Sequence, residues 1–226
     1  LAAGKNIQLV HGIELSTHWE NTGIHVLGLD FDPDSQDIRQ AAEVQTGARQ
    51  TRALQIAERL EKQGISNALE GAATYAPTSY LGRPHFAQHI VASGKARNIQ
   101  TAFQLYLGSG KAGDVKHHWA DLPQVVEWIR AARGIPVLAH PLKYSLTRSK
   151  LKRLLQAFKA LGGQGMEVVS GQQTPDQTRS MSALCKEMGL LASCGSDFHS
   201  PETRWAELGR FPALPAGLKP VWECFR

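Results

Sequence analysis

The sequence predicts an α/β fold, in which strands alternate with helices around a parallel sheet or a barrel of β/α units, interrupted by an all-helical insertion. Three observations carry this expectation. From Leu122 to His199, short apolar runs alternate with amphipathic helical stretches. From Ser35 to Lys116 no convincing strand occurs. Glu14, His140, Asp197 and His199, all able to bind metal, fall at the ends of predicted strands, where β/α folds place their chemistry.

The chain of 226 residues is long enough for one large domain, or for a domain with a sizeable insertion. Hydrophobic residues make up 42% and charged residues 20%, the balance of an ordinary globular protein and not of a disordered or fibrous one. No stretch approaches the roughly 18 unbroken apolar residues needed to span a bilayer. Leu1 to Lys5 is too short for a signal peptide, so a cytoplasmic location is the default. Cys185, Cys194 and Cys224 are odd in number and have no CxxC spacing, which argues against a disulfide framework and a zinc knuckle. Net charge is +5 and the pI near 9.2, which favours a polyanionic partner. Between Trp128 and Met166 stand Arg130, Arg133, Lys143, Arg148, Lys150, Lys152, Arg153 and Lys159 with no acidic residue. That run reads either as a solvated helix face or as a rim that attracts phosphate.

Ile7 to Val10 with Gly12 to Leu15 reads as a short strand ending near Glu14, and Ile24 to Leu29 as a second. A polar turn containing Asn21-Thr22-Gly23 joins them, so a hairpin brings Glu14 and His25 together. A long helix is predicted from Ser35 to Gly64, with Asp34 or Ser35 as its cap, because the stretch is rich in Ala, Gln, Arg and Glu. Shorter helices follow at 67–74, 83–93 and 98–107, punctuated by Gly71, Pro77, Gly82, Gly94 and Gly108 to Gly110.

The alternation resumes with a helix from Leu122 to Arg133 and a strand from Ile135 to Ala139 that runs into His140-Pro141. From Arg148 to Leu161, the residues Leu151, Leu154, Leu155, Phe158 and Leu161 recur at helical spacing. Gly165 to Val169 is the next strand. Asp176 to Met188 is a helix whose stripe of Met181, Leu184, Cys185 and Met188 reads as core. Leu190 to Cys194 is the last strand, and it delivers Asp197 and His199, which at positions i and i+2 leave it on one side. The competing reading is a turn with an Asp cap and an exposed His. Taken with Glu14, His25 and His140, however, they form a mixed imidazole and carboxylate set suited to Zn, Mn or Fe, with a carboxylate able to bridge two ions.

Gly12-Ile13-Glu14-Leu15-Ser16, His25-Val26-Leu27-Gly28, Ala139-His140-Pro141 and Gly195-Ser196-Asp197-Phe198-His199 resemble the later motifs of the PHP family, the polymerase and histidinol phosphatase phosphoesterases. The most similar branch is that of the bacterial 3',5'-nucleoside bisphosphate phosphatases, whose members also act as 5'-3' exoribonucleases. Trp19-Glu20-Asn21, Arg59 to Lys62, His85-Phe86-Ala87 and Gly110 to Gly113 extend the likeness over essentially the whole chain. The resemblance implies a distorted (β/α)7 barrel made of residues 1–34 and 117–226, with a helical insertion at 35–116 capping the substrate. It also implies a cluster of up to three divalent ions, Mn2+ first and Zn2+ or Fe2+ as alternatives. On the matching positions Glu14 is the bridging carboxylate, and His25, His140, Asp197 and His199 are terminal ligands. Glu14, His140 and Asp197 are thereby the catalytic residues. Arg83, His85 and Lys111 are the expected holders of a substrate phosphate.

One departure bears on that expectation. Family members begin with a strand carrying His-X-His and continue to an Asp-His pair, whereas residues 1 to 10 contain no His, Asp or Glu. The chain therefore reads as a piece lacking roughly the first two β/α units. The expected activity is metal-dependent hydrolysis of nucleoside 3',5'-bisphosphates, or 5'-3' trimming of short RNA, with no membrane or protein partner. A binding or regulatory module on the same scaffold and a metal-dependent amidohydrolase are the alternatives.

Overall fold

The computed structural model describes residues 8–76, 81–115, 119–199 and 207–226. Ile7 of the expected first strand, Pro77 and the insertion boundary at Lys116 lie outside the described residues. The chain divides into two compact units, Leu1–Ala41 with Ala120–Arg226, and Ala42–Trp119.

The first unit is built on a five-stranded sheet of order β1-β2-β3-β4-β5. Its strands are β1 (Gly12–Trp19), β2 (Thr22–Leu29), β3 (Ile135–Leu138), β4 (Gly165–Ser170) and β5 (Leu191–Gly195). The expected hairpin of β1 and β2 is antiparallel and β3 to β5 pair in parallel, while the antiparallel pairing of β2 with β3 corrects the expectation of a parallel sheet. For β1 and β2 the reason is the connection. Trp19 pairs with Thr22 across the two-residue turn Glu20-Asn21, in which Glu20 takes a φ of 49°, and so short a link leaves no room for a crossover helix. Gln8 to Val10 carry no strand, and Glu14 lies inside β1, not at its end.

Pro136 is tolerated in a central strand because it faces Gly28 one step from the pairs that exchange hydrogen bonds, and before the β4 pairing begins at Val137. Gly28 lets α5 (Leu122–Ala131) lie close on the sheet, since a Cβ there would stand 3.0 Å from Ile129. Opposite residues in the register share a face, so Leu15, Ile24, Val26 and Leu138 pack with Val125, Val126 and Ile129 of α5. The same cluster takes in α6 (Arg148–Ala160) through Leu151, Leu154, Leu155 and Phe158, and α7 (Pro175–Met188) through Met181, Leu184 and Cys185. The other face holds Glu14, His25 and Leu27, and beside Leu27 a smaller cluster of Ile135, Val137 and Val221.

Helix starts follow side-chain chemistry. The Asp121, Thr147 and Thr174 side chains accept from the backbone N–H of Gln124, Lys150 and Gln177, and Gln177 returns a bond to the Thr174 N–H, closing a capping box on α7.

The second unit contains most of α1 (Gln36–Glu61), with α2 (Ala68–Ala73), α3 (Arg83–Ala92) and α4 (Ile99–Ala102), and no strand among its described residues. Ser35 caps α1 by accepting the Asp37 N–H. The single helix expected at 98–107 is α4 followed by a π-helical turn, Phe103–Leu107, because the Gly108 N–H bonds back to the Phe103 carbonyl at 2.7 Å. Ile56, Leu60, Ile65, Phe86, Ile90 and Leu107 form its core.

Candidate metal centre

Glu14 on β1 pairs with Leu27, and Ser16 with His25, so Glu14 and His25 are diagonal neighbours on one face of the hairpin. His25 Nδ1 lies 2.6 Å from Glu14 Oε1. His140 follows β3, and by strand alternation its side chain would join Val26 and Leu138 on the opposite face. Its backbone breaks the alternation with a φ of 25°, a left-handed conformation that costs a non-glycine residue energy. The imidazole thereby reaches the Glu14 face, with Nε2 at 3.1 Å from both Glu14 Oε1 and His25 Nδ1.

Two side chains hold this break in place. Glu167, buried in β4, accepts the His140 backbone N–H at 2.6 Å. Tyr144, at the end of the 3-10 turn Pro141–Tyr144, donates its hydroxyl to the Ala139 carbonyl at 2.6 Å. Sequence reasoning missed both residues. For Glu167 the available signal was an acidic residue inside the otherwise apolar run Gly165 to Val169.

Burial opposes the charged form of Glu14, but the hydrogen bonds from His140 and His25 outweigh it and hold the carboxyl well below the usual range. Burial pushes Glu167 the other way, upward, with partial relief from the His140 N–H. Burial likewise raises the Tyr144 phenol, which keeps it a neutral donor.

Glu14, His25 and His140 each offer a ligand atom, and these atoms all lie within 4.8 Å of one another. Two imidazole nitrogens and a carboxylate oxygen crowd about one point, a donor set that suits Zn, Mn or Fe and fits a divalent cation. Among the described residues no other such group of three occurs. Asp197 and His199 are not brought into it. Asp197 takes a φ of 52° beyond the end of β5, and its carboxylate is paired with Lys143. The His199 side chain is 68% exposed, with Nδ1 2.9 Å from the Asp197 carbonyl oxygen. Both residues lie beyond the end of β5, and His199 Nδ1 is 3.7 Å from Asp197 Oδ1.

Arg83, His85 and Lys111 belong to the second unit. Arg83 donates to the Leu107 carbonyl at 3.3 Å, His85 Nδ1 accepts the Gly82 N–H at 3.1 Å, and Lys111 is exposed. Burial lowers the pKa of His85.

The basic run from Trp128 to Met166 is partly paired with carboxylates. Lys150 and Arg153 pair with Glu20 and stand over the Trp19 ring, Arg148 and Lys152 pair with Glu187, Lys143 with Asp197 and Arg130 with Glu127, while Lys159 donates to the Met188 carbonyl. Glu20 and Glu187 are each shared by two cations, so the run keeps a positive excess. Among the described residues, no helix is long and apolar enough to cross a membrane.

The fold and the cluster together define a mixed α/β protein with a Glu and His centre competent to hold a divalent metal. No family model matches the chain. Over 219 residues, 97% of its length, the chain is 43% identical to a 5'-3' exoribonuclease of Haemophilus influenzae and covers 79% of that protein. Over 223 residues, 98% of its length, it is 36% identical to the 3',5'-nucleoside bisphosphate phosphatase of Chromobacterium violaceum, covering 78% of it. A solved structure from Chromobacterium violaceum, described as an amidohydrolase with bound sulfate and no metal, matches with a TM-score of 0.85 at 36% identity over 95% of this chain and 75% of that one. The chain belongs to the PHP family of phosphoester hydrolases, in the branch that contains these exoribonucleases and bisphosphate phosphatases.

Proposed function

We propose that the protein is a metal-dependent phosphoesterase that removes the 3'-phosphate of nucleoside 3',5'-bisphosphates, releases nucleotides from RNA 5' ends, or does both. The observation that carries this reading is the convergence of Glu14, His25 and His140 in a chain 43% identical to a 5'-3' exoribonuclease. On this reading the architecture is the distorted (β/α)7 barrel of the family, the helical unit is the substrate cap, and the setting is cytoplasmic, in keeping with three free cysteines.

Glu14, His25 and His140 hold the first ion, and Asp197 and His199 contribute to further ones. When bound, divalent metal, Mn2+ foremost, supplies Lewis acidity to phosphoryl oxygens and lowers the pKa of water. The chain's own residues do the rest. Before an ion binds, hydrogen bonds from the two imidazoles outweigh burial and hold Glu14 ionised, so its carboxylate is ready to ligate. Lys143 supplies a cation beside Asp197. Arg83, His85 and Lys111 are the proposed holders of the substrate's second phosphate. The sulfate in the related amidohydrolase structure is a tetrahedral dianion, closer in shape and charge to a phosphoryl group than to an amide.

The test is phosphate release from adenosine 3',5'-bisphosphate, and nucleotide release from 5'-phosphorylated RNA, by full-length protein with Mn2+. Glu14→Gln and Asp197→Ala are expected to abolish both. Wild-type rates in Glu14→Gln would overturn the metal centre, and hydrolysis of amides alone would overturn the substrate class.

A further inference from the structure

The β2–β3 ladder runs from Leu29 and Ile135 to Val26 and Leu138, and the next pair in that register is His25 with Ala139. Antiparallel residues facing each other as a hydrogen-bonded pair exchange two bonds. One is made directly, from the Ala139 N–H to the His25 carbonyl at 3.1 Å. The Tyr144 hydroxyl occupies the place of the other. It accepts the His25 N–H at 3.0 Å and donates to the Ala139 carbonyl at 2.6 Å, so a single oxygen stands in the ladder where the two strands would otherwise close. The phenol ring meets the His140 imidazole edge-on, with centroids 5.4 Å apart and planes at 67°.

We propose that Tyr144 is a positioning residue for the metal centre, a one-atom spacer between β2 and the chain after β3 that sets the separation at which His25 and His140 face one point with Glu14. The proposal rests on the metal reading of that site. Tyr144 supplies no ligand. It fixes one backbone atom beside each imidazole, the amide of His25 and the carbonyl preceding His140, while Glu167 holds the His140 amide from the other side. The short turn Pro141–Tyr144 explains how the hydroxyl returns to the strand that has just ended.

Tyr144→Phe keeps the ring and removes the spacer, leaving the His25 N–H and Ala139 C=O to close on each other or stay unpaired. Titration with Co2+, followed by its visible spectrum and by calorimetry, should show affinity falling by about 10- to 100-fold and an altered spectrum. The midpoint of thermal unfolding without metal should stay within a few degrees of wild type, and the KM for nucleotide at saturating metal should be unchanged. Wild-type affinity and spectrum in Tyr144→Phe would overturn the proposal. So would a large fall in metal-free stability, since the loss would then be one of folding. Failure of the wild-type protein to bind Co2+ would instead overturn the metal centre itself.

Discussion

Glu14 and His140 stand 126 positions apart in the sequence, yet Oε1 of one lies 3.1 Å from Nε2 of the other. The contact joins the first strand to the residues after the third, with the whole helical unit inserted between them in the chain. It exists only when the sheet has formed.

A ligand that binds the folded state alone stabilises it in proportion to its concentration. Metal at about 100 times its dissociation constant should add ~2.7 kcal/mol, read as a rise in the unfolding midpoint. His140→Ala should abolish most of that rise while leaving EDTA-treated protein folded. An undiminished rise in His140→Ala would show that metal binds elsewhere.

The cysteines should separate by pH. Cys185 is buried and donates to the Leu190 carbonyl, and burial pushes its thiol up to about 11. A thiol whose folded pKa is raised keeps its proton in the native state after the unfolded chain has lost it. Its contribution to stability is complete below the ordinary thiol pKa of 9.0 and is lost as pH rises from there toward 11. At pH 9 only ~1% of native Cys185 is thiolate. Iodoacetamide at that pH should modify exposed Cys224 first, and Cys185 only on unfolding. Equal labelling of the two in native protein would contradict the packing described for α7.

Gly163 tests the core. Its amide bonds to the Phe158 carbonyl at 2.9 Å, and a Cβ there would stand 2.3 Å from the Phe158 ring. That ring is fully buried in the main cluster and has no room to retreat. Gly163→Ala should therefore cost about 1–3 kcal/mol, seen as an unfolding midpoint several degrees lower. A neutral substitution would mean that α6 shifts freely, against its packing on the sheet.

Much of the architecture was legible because it is local. The stripe from Leu151 to Phe158, the cap at Ser35, and the apolar run Ile135 to Leu138 each announce an element within a few residues. The hairpin at the start of the sheet was legible from its polar turn, but its bounds were not. A polar turn between two apolar runs fixes neither where β1 begins nor that Glu14 falls inside it, and both depend on pairing with β2.

The sequence by itself determined the alternation of elements, the helical character of the stretch between β2 and α5, and which residue types are able to hold metal. Periodicity, caps and side-chain chemistry are properties of neighbouring residues. The tertiary structure alone decided which of those residues meet. His140 reaches Glu14 and His25 because its backbone leaves the strand geometry at a φ of 25°, and the Glu167 and Tyr144 bonds that hold it come from other parts of the chain. Asp197 turns to Lys143 for the same kind of reason, a positive φ just beyond a strand. Such breaks store strain that only packing elsewhere offsets, so no local pattern announces them.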